Sequence, residues 1–182
     1  MAHGATDRLW VLTGAPGTGK TAILERLGDV LRVPEPAREV IAEQRRTGGR
    51  ATSDQDPEAF VRLLLERAIS QYKATLELGR AAVFDRGIPD CIAYAAVYGF
   101  DTGPALAAGS EYRYNRSVLV LRPWMEIFSN DEERTLTFGM AERFQELIES
   151  AYTAAGYQLV EVPRGSIAER AEFVAARIGA ER

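Results

Sequence analysis

The chain has 182 residues, with 22 Lys and Arg against 26 Asp and Glu, a formal net charge of -4 and a pI near 5.2. That balance excludes a global positive field for nucleic acid or acidic membranes, so an anionic ligand must be held by local cations. One cysteine (Cys91) and one histidine (His3) leave no material for an intramolecular disulfide, a Cys/His zinc centre or a Ser-His-Asp triad.

In chain order, RLWVLTG (8–14) is an apolar run ending in glycine, the pattern of a buried strand. Residues 20–31 follow as a helix with Ile23, Leu24, Leu27, Val30 and Leu31 on one face. LRVPE (31–35) makes a second short strand, and Pro36 opens a helix to about Arg46. TGGRATSDQD (47–56) has loop composition. Asp56-Pro57-Glu58 then starts a helix to about residue 78, with an N-cap acid, a first-turn proline and an acid that complements the dipole. AAVFD (81–85) is a strand, DCIAYAAVYGF (90–100) a helix, and SVLVLRP (117–123) a strand stopped by proline. Residues 124–138 are irregular and charged, and 139–155 are helical through Phe144, Ile148 and Tyr152. YQLVEVP (157–163) is the last strand, and Ser166 with Glu169 forms a capping-box pattern that opens the final helix.

No repeat or linker interrupts residues 1–182, so the expectation is a single domain of α/β class, its mostly parallel sheet covered on both faces. No apolar run is long enough to span a membrane and MAHGATDR lacks a signal-peptide core, which predicts a cytoplasmic protein without membrane or nucleic-acid partners. No residue pattern specifies an oligomeric state. Ligands of such folds sit at the carboxyl ends of the strands, where Gly14, Asp85 and Arg122 all fall.

GAPGTGKT (14–21) matches G-x-x-x-x-G-K-[ST] through Gly14, Gly19, Lys20 and Thr21, with a strand before it and a helix after it. Glycines let the backbone N–H groups of a stretch such as Ala15, Gly17, Thr18 and Gly19 turn inward around phosphate without side-chain clash. Lys20 supplies a full charge toward the outer phosphates, and the Thr21 hydroxyl is placed to ligate Mg²⁺. The stretch is a P-loop.

Asp85 ends a strand, where a carboxylate reaches a metal ion or a nucleophile above the phosphates; the competing reading is a salt-bridged Asp-Arg turn. Arg86 follows, where a second acid would suit water activation better, and favours an anionic or transferring group. Asp90 reads equally as acceptor-binding residue or as N-cap of the helix carrying Tyr94. Glu35 ends the second strand and is placed to bind a substrate hydroxyl or accept its proton, with Arg38 one turn beyond; the bland reading is a helix-opening Glu-Pro. Phosphoryl transfer needs positive charge over the migrating group, and Arg134, Arg122 and Arg143 are the candidates, a solvated charge run being the alternative for DEER. Arg164 in the loop after the last strand is placed near a nucleotide base, and Tyr94 near an acceptor pocket or in the core.

GAPGTGKT, VPEPAREV, VFDRGIPD, RPWMEIFSNDEERT and GYQLVEVP, in that order over residues 8–178, resemble the small AAA-labelled P-loop ATPase/kinase-like family, which is similar to the kinase domain of bacterial nicotinamide riboside kinases. The pairs Glu35-Pro36 and Asp85-Arg86 also look like those of deoxyribonucleoside kinases, from which the chain departs by carrying Gly87 where they usually have serine. The resemblance implies a P-loop NTPase three-layer sandwich whose five-stranded parallel sheet runs 2-3-1-4-5. It implies Glu35 as base or hydroxyl ligand, Asp85 as metal-side acid, Arg86 at the transferring or acceptor groups, and Arg134 in a lid at about 122–138 like that of nucleoside monophosphate kinases.

The expectation is an ATP- and Mg²⁺-dependent kinase acting on a small-molecule hydroxyl. ATP would lie on the P-loop, Mg²⁺ on Thr21 and Asp85, and the acceptor among Glu35, Arg38, Arg86, Asp90 and Tyr94. The alternative is a nucleotide-binding regulatory ATPase or switch acting on a protein partner. A third is a phosphohydrolase with water as acceptor.

Overall fold

The structure, a computed structural model, describes residues 4, 6–128 and 137–180. In β1 (Leu9–Thr13), Leu9 and Val11 enter one half of the core while Trp10 and Leu12 enter the other. After α1 (Lys20–Leu24) come β2 (Leu31–Val33), α2 (Pro36–Thr47), α3 (Pro57–Glu77) and β3 (Ala82–Asp85). In β3, Ala82 and Phe84 share the side of Leu9, and Val83 that of Trp10. Then follow α4 (Ile88–Tyr98), α5 (Gly103–Glu111) and β4 (Ser117–Val120), where Val118 and Val120 oppose Leu119. The period of two is what an extended chain imposes, and both sides are apolar because helices cover both faces.

The chain closes with α6 (Phe138–Ala154), β5 (Gln158–Glu161) and α7 (Ile167–Ala180). All pairings are parallel, in the order β2-β3-β1-β4-β5, so the expected 2-3-1-4-5 three-layer sandwich is the fold. Helices α2 to α6 pack on the Leu9 side through Val40, Phe60, Cys91, Ala105 and Ile148. On the other side α1 and α7 pack through Ile23, Leu24, Val174 and Ile178. Each fully buried aliphatic or phenyl side chain of this kind contributes about 1.5–3 kcal/mol.

Several boundaries differ from expectation. The first helix is expected to reach residue 31 but ends at Leu24; tighter turns at Arg26 and Leu27 lead into Gly28, so that the Leu31 N–H can pair with the Ala81 carbonyl at 3.2 Å. The sequence alone assigns no element to 103–111, yet Ala105 and Ala108 bury a face there and α5 forms. The fourth helix starts at Ile88 rather than Asp90. Gly87 is its N-cap, and Asp90, the third helical residue, reaches back to accept the Gly87 N–H at 2.9 Å. Asp56 caps α3 through the Ala59 N–H at 3.0 Å, and the Ser166–Glu169 capping box opens α7.

Candidate active site

Residues 14–21 wrap the carboxyl end of β1. Gly14 has φ 140°, and a Cβ there would lie 2.1 Å from the Leu121 carbonyl oxygen, so no side chain fits. Gly17 and Gly19 are left-handed at φ 76° and 85°, conformations that turn the loop around a central hollow. Lys20 folds across the loop, its Nζ donating to the carbonyls of Gly14 and Ala15 at 2.9 Å each. The Thr18 hydroxyl donates to the Ala15 carbonyl at 2.9 Å. Two side chains from later helices brace the loop. Gln145 of α6 accepts the Ala15 N–H at 2.8 Å, and Arg170 of α7 donates to the Thr18 carbonyl at 2.7 Å. A groove of about 430 Å³ opens over the loop, lined by residues 16–22, Glu35 and Arg38, and by Ile127, residues 165–167 and Arg170.

Because β2 pairs with β3, Glu35 just past β2 lies beside Asp85 and Arg86 at the end of β3. Arg86 adopts φ 73°, unusual for a residue with a Cβ and a form of strain that collects at functional sites. Its Nε donates to Glu35 at 2.9 Å and its Nη1 to Asp90 at 3.0 Å, while its Nη2 has no acceptor. Burial opposes the charge on Arg86, but Tyr94, Glu35, Asp90 and Asp85 together hold its pKa well above the ordinary arginine value. Glu35 also accepts from Arg38 Nε at 3.2 Å.

Asp85 is buried under the groove. Its Oδ2 is 3.4 Å from the Thr21 hydroxyl, and its Oδ1 has no hydrogen-bond donor. Burial, seconded by Glu35, pushes its pKa up to about 6, against the pull of Lys20 and Arg86. A bare, buried carboxylate oxygen beside a hydroxyl is a hard-oxygen pair that fits Mg²⁺, an ion that keeps water and phosphate oxygens as its remaining ligands. Among the described residues no larger His, Cys, Asp or Glu cluster could hold a metal.

The structure thus gathers Lys20, Thr21, Glu35, Arg38, Asp85 and Arg86 at one place. Asp90 is 2% exposed and lies behind Arg86, accepting also from the Thr13 and Tyr152 hydroxyls at 2.6 and 2.7 Å. Tyr94 packs edge-on against Phe144 with Arg86 over its ring at 5.9 Å. Arg122 is half exposed and tied to Glu149 and Glu161, outside the groove lining. Arg164 lies over the Trp124 ring at 5.6 Å, and the neighbouring Gly165 lines the groove instead. Arg134 lies outside the described residues, as do residues 129–136 of the expected lid; of its described parts, the Phe128 and Phe138 rings meet at 5.4 Å. Gln145, Tyr152 and Arg170 carry no sequence signal of a site: each sits among apolar residues at helical spacing.

A glycine cradle at a strand-to-helix turn, a lysine across it and an acid closing the neighbouring strand define a P-loop NTPase of the kinase-like fold. The profile of the family described as AAA domain matches residues 9–170, and the chain belongs to that family. Among solved structures its fold is similar to that of thymidylate kinase from Ehrlichia chaffeensis, with a TM-score of 0.62 and 16% identity over 95% of this chain and 98% of that one. No curated protein sequence matches the chain. Among the described residues no helix is long and apolar enough to cross a membrane.

Proposed function

We propose that the protein is an ATP- and Mg²⁺-dependent kinase that transfers the γ-phosphate to a hydroxyl of a small molecule, acting in the cytoplasm. The observation that carries this reading is the pairing of a P-loop with the buried Glu35–Arg86–Asp85 cluster, in which Asp85 Oδ1 and Arg86 Nη2 are bare. Phosphoryl transfer is chiefly positioning and charge stabilisation, which these groups supply without any histidine or cysteine nucleophile.

In this reading the N–H groups of residues 17–21 and the Lys20 ammonium bind the β- and γ-phosphates, with Lys20 exchanging its two carbonyl acceptors for phosphate oxygens. Magnesium, when bound by Thr21 and Asp85, supplies neutralisation of phosphate charge. Glu35, oriented by Arg86 and Arg38, accepts the proton of the acceptor hydroxyl. Arg86 turns its bare Nη2 to the transferring group, and Asp90 acts on substrate only by holding Arg86. Tyr94 walls the acceptor side. Arg134 reaches over the phosphates from a lid at about 122–138, with Arg122 and Arg164 on the nucleotide side.

The test is ADP formation from Mg-ATP with and without nucleosides, cofactor precursors and aminoglycoside-like alcohols. One acceptor should stimulate turnover and give a product heavier by a phosphoryl group, and Lys20→Ala should abolish both. Glu35→Gln should lose turnover while still binding ATP. A basal rate that no acceptor changes, together with nucleotide-dependent assembly, would replace the kinase by a switch.

A further inference from the structure

Arg170 is 4% exposed, yet no carboxylate among the described residues forms an ion pair with it. Among the described residues its side chain makes one hydrogen bond, from Nη2 to the Thr18 carbonyl at 2.7 Å, and its Nε is buried without an acceptor. Its guanidinium lies against the P-loop, with Nη1 3.2 Å from where a Cβ on Gly19 would stand, and the side chain lines the groove. A neutral carbonyl does not repay the desolvation of a full charge; a buried guanidinium is ordinarily matched by an acid. Burial alone acts on its pKa, lowering it, with no opposing partner.

We propose that the polyphosphate of a bound nucleoside di- or triphosphate is the missing counter-charge of Arg170, so that this α7 residue is a nucleotide-binding cation of the groove alongside Lys20. This rests on the nucleotide-binding half of the proposed function and adds a residue to it. It also gives α7 a part in occupancy: the free protein carries an uncompensated buried charge that ligand relieves, and the guanidinium spans ligand and Thr18 carbonyl at once. Only an arginine or lysine provides the charge, whereas any amide donor can brace the carbonyl.

The test separates charge from brace by calorimetric titration of the whole chain with ADP and with Mg-ATP. Arg170→Gln keeps a donor for Thr18 and removes the charge; its Kd should rise about tenfold, the loss of one charge-assisted contact. Arg170→Lys should stay within about threefold of wild type. In the nucleotide-free protein Arg170→Met should melt no lower than wild type, because an unmatched buried charge is gone. Wild-type affinity in Arg170→Gln, or equal losses in the Gln and Lys variants, would overturn the inference and leave the kinase reading standing. A wild-type chain that binds neither nucleotide would overturn both.

Discussion

Asp90 holds the guanidinium of Arg86 at 3.0 Å from one helical turn further on, with both side chains almost wholly buried. Four donors converge on this carboxylate: Arg86, the Thr13 and Tyr152 hydroxyls, and the Gly87 N–H. A Cβ at position 87 would stand 2.7 Å from the Tyr152 oxygen, so the glycine after the acid-arginine pair makes room for the brace. Asp90→Asn should cost about 3 kcal/mol in urea unfolding, since it removes the carboxylate of a buried pair. Tyr152→Phe should cost about 1–2 kcal/mol, the loss of one buried hydrogen-bonding group. If either variant unfolds within about 0.5 kcal/mol of wild type, the brace is not what holds Arg86.

Gly14 and Gly48 offer a matched comparison. Both have positive φ, 140° and 71°, but a Cβ on Gly48 meets nothing within 4 Å, whereas one on Gly14 strikes the Leu121 carbonyl oxygen. Gly48→Ala should therefore cost only the left-handed penalty, about 1 kcal/mol. Gly14→Ala must push β4 away from the loop and should cost more than about 4 kcal/mol or yield no folded protein. Thermal melts of the two purified variants decide it, and similar melting temperatures would refute the steric account.

Much of this was legible in the chain because local rules suffice there. GAPGTGKT announces its own backbone, and the apolar runs ending at Thr13, Asp85 and Val120 mark where strands deliver side chains to the site. Glu35 and Asp85 could be brought together once a parallel sheet was expected. The braces could not. Gln145, Tyr152 and Arg170 act at sequence separations of 130, 62 and 152 residues from their partners, through helix faces whose polar members look like ordinary surface or core positions. Of the two readings of Asp90, acceptor-binding residue or N-cap, neither anticipates its position, because an acid near a helix start caps equally well from the third helical residue. Arg122 sits at a strand end but finds two acids nearby, Glu149 and Glu161, that no strand-end rule foretells.

A hydrogen-bonded chain links the P-loop to the start of the 122–138 segment: the Ala15 N–H donates to Gln145, Gln145 donates to Glu149, and Glu149 accepts twice from Arg122. Its links are unequal. Gln145→Leu would bury the Ala15 N–H without an acceptor and should cost about 1–3 kcal/mol. Arg122→Ala removes a half-exposed ion pair and should cost less than about 1 kcal/mol. Amide exchange at Ala15 should quicken in the first variant and stay unchanged in the second. The reverse order of stabilities would show that the chain is held from the Arg122 side.

Asp85 makes stability depend on pH in a direction opposite to that of most acids. Its pKa is raised from the ordinary 3.8 to about 6 by burial and Glu35, so the folded, magnesium-free protein holds the proton more tightly than the unfolded chain. The favourable contribution is therefore complete below about pH 4 and is lost as pH rises to about 6, where the bare carboxylate must be carried ionised. The loss is at most about 3 kcal/mol. Asp85→Asn removes that titration. In EDTA and without nucleotide, the variant should melt close to wild type at pH 4 and above it at pH 7.5, with the gap opening between those values. Magnesium with ATP should reverse the order at pH 7.5, because only the ionised carboxylate serves the metal. A gap that is constant across pH would mean that Asp85 ionises as freely in the folded protein as in the unfolded chain.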